Sequence, residues 1–215
     1  MAGKRKVRHH GTIDPARLPA LWQFIQGTEA SPAARAAILT LLVTAHRVGV
    51  VVNAEWAHID AASGIWTVPE RADKMTPGRM KSGREYVLKL PSGLIDRLLE
   101  LRDDETAQYV FESPVTKGPI SGNAILKTLK RFEPSLTAHG FRNAIKVWAR
   151  RADPPVDPFI ADAYCDHSLK GLDAAYRREG TDTERAALAE RLYAFVIGGR
   201  DDPPGALSVP LGTLP

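Results

Sequence analysis

Apolar residues recur along this chain mostly with helical spacing, and in two stretches with the alternation of strands. Leu18, Leu21, Trp22 and Ile25 stand three and four apart, one face of a 3.6-residue helix. Asp14-Pro15 ahead of them supplies a cap and a proline suited to the first turn. Ser31-Pro32 repeats the device before Ala33 to His46, where Ile38, Leu41, Leu42 and Ala45 form a core stripe. Gly64 to Val68 and Arg84 to Leu90 read as short strands flanking a basic loop with Gly and Pro, Glu70 to Gly83. Ser92 predicts a helix through Leu101, Gln108 to Phe111 a further short strand, Ser121 a helix to Arg131, and Thr137 a helix from about Ala138 to Ala152. Pro154, Pro155 and Pro158 break the chain before Phe159 to Cys165, and helices follow around Leu172 to Arg178 and over Thr183 to Ile197. The pattern predicts a mainly α fold with a small antiparallel β-sheet inserted early, of the α+β class. Residues 1–13 read as a basic linker or arm, 14–198 as one domain, and 199–215, with Pro and Gly but no periodicity, as a flexible tail.

A length of 215 residues bounds the chain to one domain or two small ones, and 44% hydrophobic with 25% charged residues suits a packed core. No run of about 18 apolar residues predicts a membrane span. The basic start has no apolar segment behind it and is not a secretory signal. Cys165 stands alone, which permits no internal disulfide and fits a reducing cytoplasm. Net charge is +4, a weak lean toward a polyanion, but its distribution says more. From Lys117 to Arg151 eight basic residues face Glu133 alone, whereas the chain after Tyr176 is mixed or acidic. Such a positive zone suits a phosphate backbone, and equally a solvated basic helix face.

Metal-free phosphoryl transfer from DNA needs a nucleophile, cations on the non-bridging oxygens, and an acid for the leaving oxygen. Candidates for each occur in order. His139 and Arg142, three apart after the Thr137 cap, share one face at a helix N-terminus, where backbone N–H groups favour an anion and Arg grips two phosphate oxygens. The plain alternative is a cap with a surface arginine. His167 and Tyr176 are nine apart, near enough for one pocket; a phenol needs nearby cations or a base to ionise at neutral pH. The alternative is a core tyrosine. Arg47, after the stripe of Leu41 and Leu42, either caps a helix C-terminus or points into a cleft. Lys81 lies in the loop before a strand, where a flexible amine reaches a leaving 5′ oxygen; Lys74 competes for that role.

The order Arg, Lys on a β-hairpin, His-x-x-Arg, His, Tyr resembles the tyrosine recombinase (phage integrase) family, and in particular its P4-like prophage group. The resemblance rests on Leu41 to Arg47, Trp56 to Asp60, Gly64 to Pro69, Arg79 to Glu85, Tyr109 to Phe111, Leu136 to Arg142, Asp166 to Ser168 and Ala175-Tyr176, and spans about Ile13 to Ile197. It implies that Arg47, Arg142 and His167 hold the scissile phosphate, His139 helps take the proton of Tyr176, and Lys81 protonates the 5′ oxygen. Tyr176 attacks and keeps the 3′ phosphate as an ester, which a 5′ hydroxyl later displaces without ATP, metal or other cofactor. The implied partner is double-stranded DNA at attachment sites, bound by a tetramer of a protein that is a monomer or weak oligomer alone, with Lys74, Arg79, Arg84, Lys127, Lys130 and Lys146 as backbone contacts. Thr183 to Ile197 with the tail is the candidate element for docking on a neighbouring subunit.

The chain departs from the family in three places. Many relatives carry an acid three residues after the first arginine, where this chain has Val50. The usual Leu-Gly before the second histidine is Cys165-Asp166, and the loop from Glu70 to Gly83 is several residues longer than usual. Residues Lys4 to Ile13 resemble the linker to a DNA-clamping domain, and a catalytic domain alone is expected to bind DNA weakly and with strong salt dependence. A second reading is a relative that binds DNA without cutting it. A third is a type IB topoisomerase. A metal-dependent nuclease fits poorly, since the six histidines lack paired ligand spacing.

Overall fold

A computed structural model describes residues 11–73, 76–166 and 181–198; for Ala138 and His139 it describes the backbone only. Residues 1–10 of the expected arm, the expected tail, the expected helix around Leu172 to Arg178, and Lys74, His167 and Tyr176 lie outside the described residues.

Most caps read from the sequence form, but Ser92 does not cap: it is the first residue of its helix, which follows Pro91 with no side-chain cap bond. Asp14 accepts from the Ala16 amide and opens a turn that runs into α1, Leu18–Gln26. Ser31 accepts from the Ala34 amide and starts α2, Pro32–Thr44. This helix is the spindle of the molecule: from Ala36 to Thr44 every residue is buried, as expected of a helix with neighbours on all sides. Thr40 and Thr44 satisfy their hydroxyls internally, donating to Ala36 O and Thr40 O at 2.9 and 2.8 Å. After α2 come α3, Val48–Val52, and an antiparallel sheet in the order β1 (Ile59–Asp60), β2 (Ile65–Val68), β3 (Tyr86–Lys89). Trp66 pairs with Leu88 and Val68 with Tyr86, and these four face the core. The helices α4 (Ser92–Leu99), α5 (Gly122–Phe132), α6 (Ala138–Arg151), α7 (Pro158–Tyr164) and α8 (Asp182–Val196) complete the described fold. No helix among the described residues is long and apolar enough to cross a membrane.

One further expectation needs correction. Gln108 to Phe111 is not a strand: Trp56 N–H donates to Gln108 O and Val110 N–H to Ala54 O, but the partner chain turns into a 3-10 helix at Trp56, so pairing stops at one bridge. The tail lies outside the described residues, and the helix over Thr183 to Ile197, expected with it to dock on a neighbouring subunit, belongs to the chain's own core on one face. It packs on β3, α2, α1 and α7, with Leu188, Leu192, Phe195 and Val196 fully buried.

Gly140 has a packing role that fixes the start of α6. A Cβ there would stand 2.0 Å from Gly11 O, and the same Gly11 carbonyl accepts from the Thr137 hydroxyl at 3.2 Å. Gly140→Ala is therefore expected to push residues 11–13 off the helix and cost roughly 1–3 kcal/mol, read as a lower urea midpoint. An unchanged midpoint would contradict this close approach.

Candidate active site

Arg47 begins a helix rather than ending one. Helix α2 stops at Thr44 because Ala45 takes a left-handed φ of 55°, and the chain then re-enters helical geometry with Arg47 as the N-cap of α3. That reversal carries the Arg47 side chain to the end of α7, where its Nη1 lies 3.7 Å from Asp166 Oδ2. Arg142 comes from the first turns of α6 and is 2% exposed. Helix α6 starts at the Thr137 cap, whose hydroxyl accepts from the Gly140 amide at 3.1 Å. The Cys165 thiol rests 4.0 Å from Arg142 O, tying the end of α7 to this turn.

The two guanidinium groups feel one another. Burial first, and the charge of Arg142 second, pull the Arg47 guanidinium below its ordinary value, while Asp166 pulls it back. Nη1 of Arg47 and both Nε and Nη2 of Arg142 are buried with no hydrogen-bond partner among the described residues. Buried donors are normally satisfied, so these three on two neighbouring cations make a candidate anion seat, in which Arg47 Nη1 also has Asp166 Oδ2 at 3.7 Å.

His46, which sequence reasoning passed over, forms the floor beneath. Its Nδ1 donates to Thr44 O at 2.8 Å, which leaves Nε2 bare and without a partner among the described residues. The ring stacks on Trp66 and meets Tyr86 edge-on, both at 5.0 Å between centroids. Burial, with Arg142 adding repulsion, lowers its pKa to about 4, so it is neutral. Tyr86 and Tyr164 are committed elsewhere: their hydroxyls donate to Tyr164 O and Val43 O, and burial pushes Tyr86 up to about 12. The Cys165 thiol, pushed up to about 11 by burial, is no nucleophile either.

The remaining expected residues divide. Lys81 is exposed, and its backbone belongs to the site's rim: Arg71 donates to Lys81 O at 3.3 Å, and the next amide, Ser82 N–H, donates to Asp166 Oδ2 at 3.3 Å. The backbone of His139 sits in the first turn of α6, and its side chain lies outside the described set. Arg79 is half-buried, its Nη1 donating to Pro77 O and Gly78 O; Arg84 is exposed. Lys127 and Lys130 are exposed on α5, while Lys146 is paired with Asp162 across α6 and α7. Position 50 is filled by a valine only 2% exposed. Among the described residues no group of three or more His, Cys, Asp or Glu could hold a metal ion.

No protein-family model and no curated protein matches the sequence. Solved structures do match the fold. The integrase from mycobacterium phage Brujita aligns with a TM-score of 0.62 at 19% identity, over 89% of this chain and 61% of that one. The Tn1549 transposon integrase, solved with a circular intermediate DNA, aligns with a TM-score of 0.60 at 12% identity, over 82% of this chain and 67% of that one. A lambda integrase dimer bound to a COC' core site gives 0.56 at 15% identity, over 79% of this chain and 61% of that one.

The fold is that of an integrase catalytic domain. The chain spans less than two thirds of the length of the Brujita and lambda integrase chains. Within this integrase fold the arginine seat lies where the α2–α3 reversal, the start of α6, the end of α7 and the loop before β3 meet.

Proposed function

We propose that this chain is the catalytic domain of a tyrosine recombinase, of the P4-like prophage integrase kind, that cuts and rejoins double-stranded DNA at attachment sites. The observation that supports this reading is the anion seat: two neighbouring arginines from separate elements, with buried donors left open. Asp166 pairs with Arg47 alone, and no carboxylate closes Nε and Nη2 of Arg142 among the described residues; a site that must receive a phosphodiester leaves such donors available.

In this mechanism Arg47, Arg142 and His167 hold the non-bridging oxygens as negative charge builds on the pentavalent phosphorus. The Tyr176 phenol oxygen attacks, its proton passing toward His139, and forms a 3′-phosphotyrosine. The bond to the 5′ oxygen breaks, and Lys81 gives that oxygen a proton. Reversal with a 5′ hydroxyl from another strand restores a phosphodiester and frees the tyrosine, so neither ATP nor a metal is consumed. Four subunits on two DNA sites would carry out exchange, with Arg79, Arg84, Lys127 and Lys130 along the backbone path.

The test is a duplex nicked close to a candidate attachment sequence, so that the cut strand diffuses away and trapped protein accumulates. The expected result is a covalent adduct, on the 3′ phosphate, whose tryptic peptide carries the nucleotide on Tyr176. Buried Val50, with no acid beside Arg47 on α3, favours one alternative, a relative that binds DNA without cleaving it. Retention of DNA with no adduct at any protein concentration would decide for that alternative.

A further inference from the structure

The anion seat has a feature that neither of its arginines explains. Two like charges lie together, and of the groups that raise the Arg47 guanidinium back toward its ordinary value the first is Asp166 and the other is Cys165. The thiol is neutral at working pH, since burial pushes it up to about 11. That leaves the Asp166 carboxylate as the negative charge acting on Arg47 among the described residues. Its side chain is 12% exposed, and the same oxygen, Oδ2, reaches both Arg47 Nη1 at 3.7 Å and the Ser82 amide at 3.3 Å.

That single oxygen joins three parts of the chain. Arg47 heads α3, Asp166 follows α7, and Ser82 belongs to the long loop that presents Lys81. The loop is anchored from below by Met80, 2% exposed, and from the far side by Arg71, whose amide donates to Gly83 O at 2.9 Å and whose guanidinium donates to Lys81 O. Lys81 is thus gripped through its own carbonyl and through the following amide. Asp166 holds a left-handed φ of 48° in doing so, a conformation in which glycine is less strained. In that geometry the carboxylate bridges a cation and a loop amide.

We propose that Asp166 is a positioning residue of this site: its carboxylate sets the Arg47 guanidinium and the Lys81 loop in one fixed relation, supplying from the end of α7 the acid that α3 lacks at Val50. The proposal rests on the recombinase reading for its catalytic consequence, not for the clamp itself. Asp166→Asn keeps the size and the tolerance of left-handed backbone while removing the charge. On the nicked duplex at saturating DNA, its single-turnover rate of adduct formation is expected to fall roughly 10- to 100-fold, with the DNA Kd changed less than about threefold and the melting temperature held. An unchanged rate overturns the proposal, and so does a loss shared equally by rate, Kd and melting temperature.

A second measurement is independent of cleavage. In 1H–15N spectra of the DNA-free protein, the Asp166→Asn substitution is expected to move both the Ser82 amide and the Arg47 Nε–H signals. If neither moves, the clamp does not exist. If both move while the unaltered protein forms no adduct on any nicked duplex, the clamp stands and the recombinase reading is what fails.

Discussion

Arg142→Met is expected to lower adduct formation by at least about 100- to 1000-fold while making the DNA-free protein more stable. The two effects have one cause. Arg142 is 2% exposed and leaves Nε and Nη2 without partners among the described residues, beside the charge of Arg47. A buried donor left unsatisfied costs about 1–3 kcal/mol, and methionine fills a similar volume without donors or charge. For a chain of this size each kcal/mol is worth roughly 2–4 °C, so the methionine variant is expected to melt several degrees higher. Arg142→Lys separates shape from charge: it keeps a cation but loses the planar fork, and is expected to recover only a minor part of the rate. The measurements are thermal unfolding without DNA and single-turnover cleavage on the nicked duplex. A methionine variant that melts lower than the parent would mean that Arg142 is a structural cation whose donors are satisfied in solution, and the anion seat would lose its main support.

Much of this architecture is legible in the chain, and what is not has identifiable physical reasons. Asp14, Ser31, Ser121 and Thr137 each stand before a helical stripe and each accepts from an amide of the first turn; capping is local and needs no tertiary partner. Asp157-Pro158 repeats the pattern of Asp14-Pro15, with Asp157 accepting from the Phe159 amide at 2.7 Å, so the start of α7 was there to be read among the prolines. The reversal at Ala45 was not: alanine has no preference for a left-handed φ, yet it takes 55° there. The Gln108 to Phe111 segment misleads because its apolar residues are core anchors. Val110 and Phe111 are buried, but among the described residues no long strand lies beside them to pair with. Arg47 and Arg142 carry their functional type openly, since two arginines in ordered boxes suggest a phosphate. Asp166 carries no such signal. Only the fold brings it to Arg47 and Ser82, since nothing in the sequence links residues 47, 82 and 166.

His46 gives the protein an acid-labile core beneath this seat. The sign follows from its burial: the folded protein holds it neutral down to about pH 4, whereas the unfolded chain takes up a proton near the ordinary value of 6.5. Acid therefore favours the unfolded state, which binds the extra proton. The contribution of neutral His46 is full above pH 6.5 and is lost progressively as pH falls to 4. At 1.36 kcal/mol for each pH unit this amounts to about 2 kcal/mol by pH 5 and about 3 by pH 4. Asp60, Asp104 and Glu133, held below their ordinary carboxylate values chiefly by hydrogen bonds from Ser63, Thr106 and Ser135, respond lower down, as pH falls through 4.5 and below. The window from pH 7 to 5 thus isolates the histidine from these carboxylates. Urea unfolding of the unaltered chain is expected to lose about 2 kcal/mol across it. His46→Phe, an aromatic ring with no proton to bind between Trp66 and Tyr86, should lose less than half as much. Equal slopes for the two proteins would show that His46 is already protonated in the fold, and a cation there would add a third positive charge under Arg47 and Arg142. In that case the floor of the site would itself be part of the anion seat, with Nε2 of His46 a donor to the incoming phosphate instead of a bare acceptor.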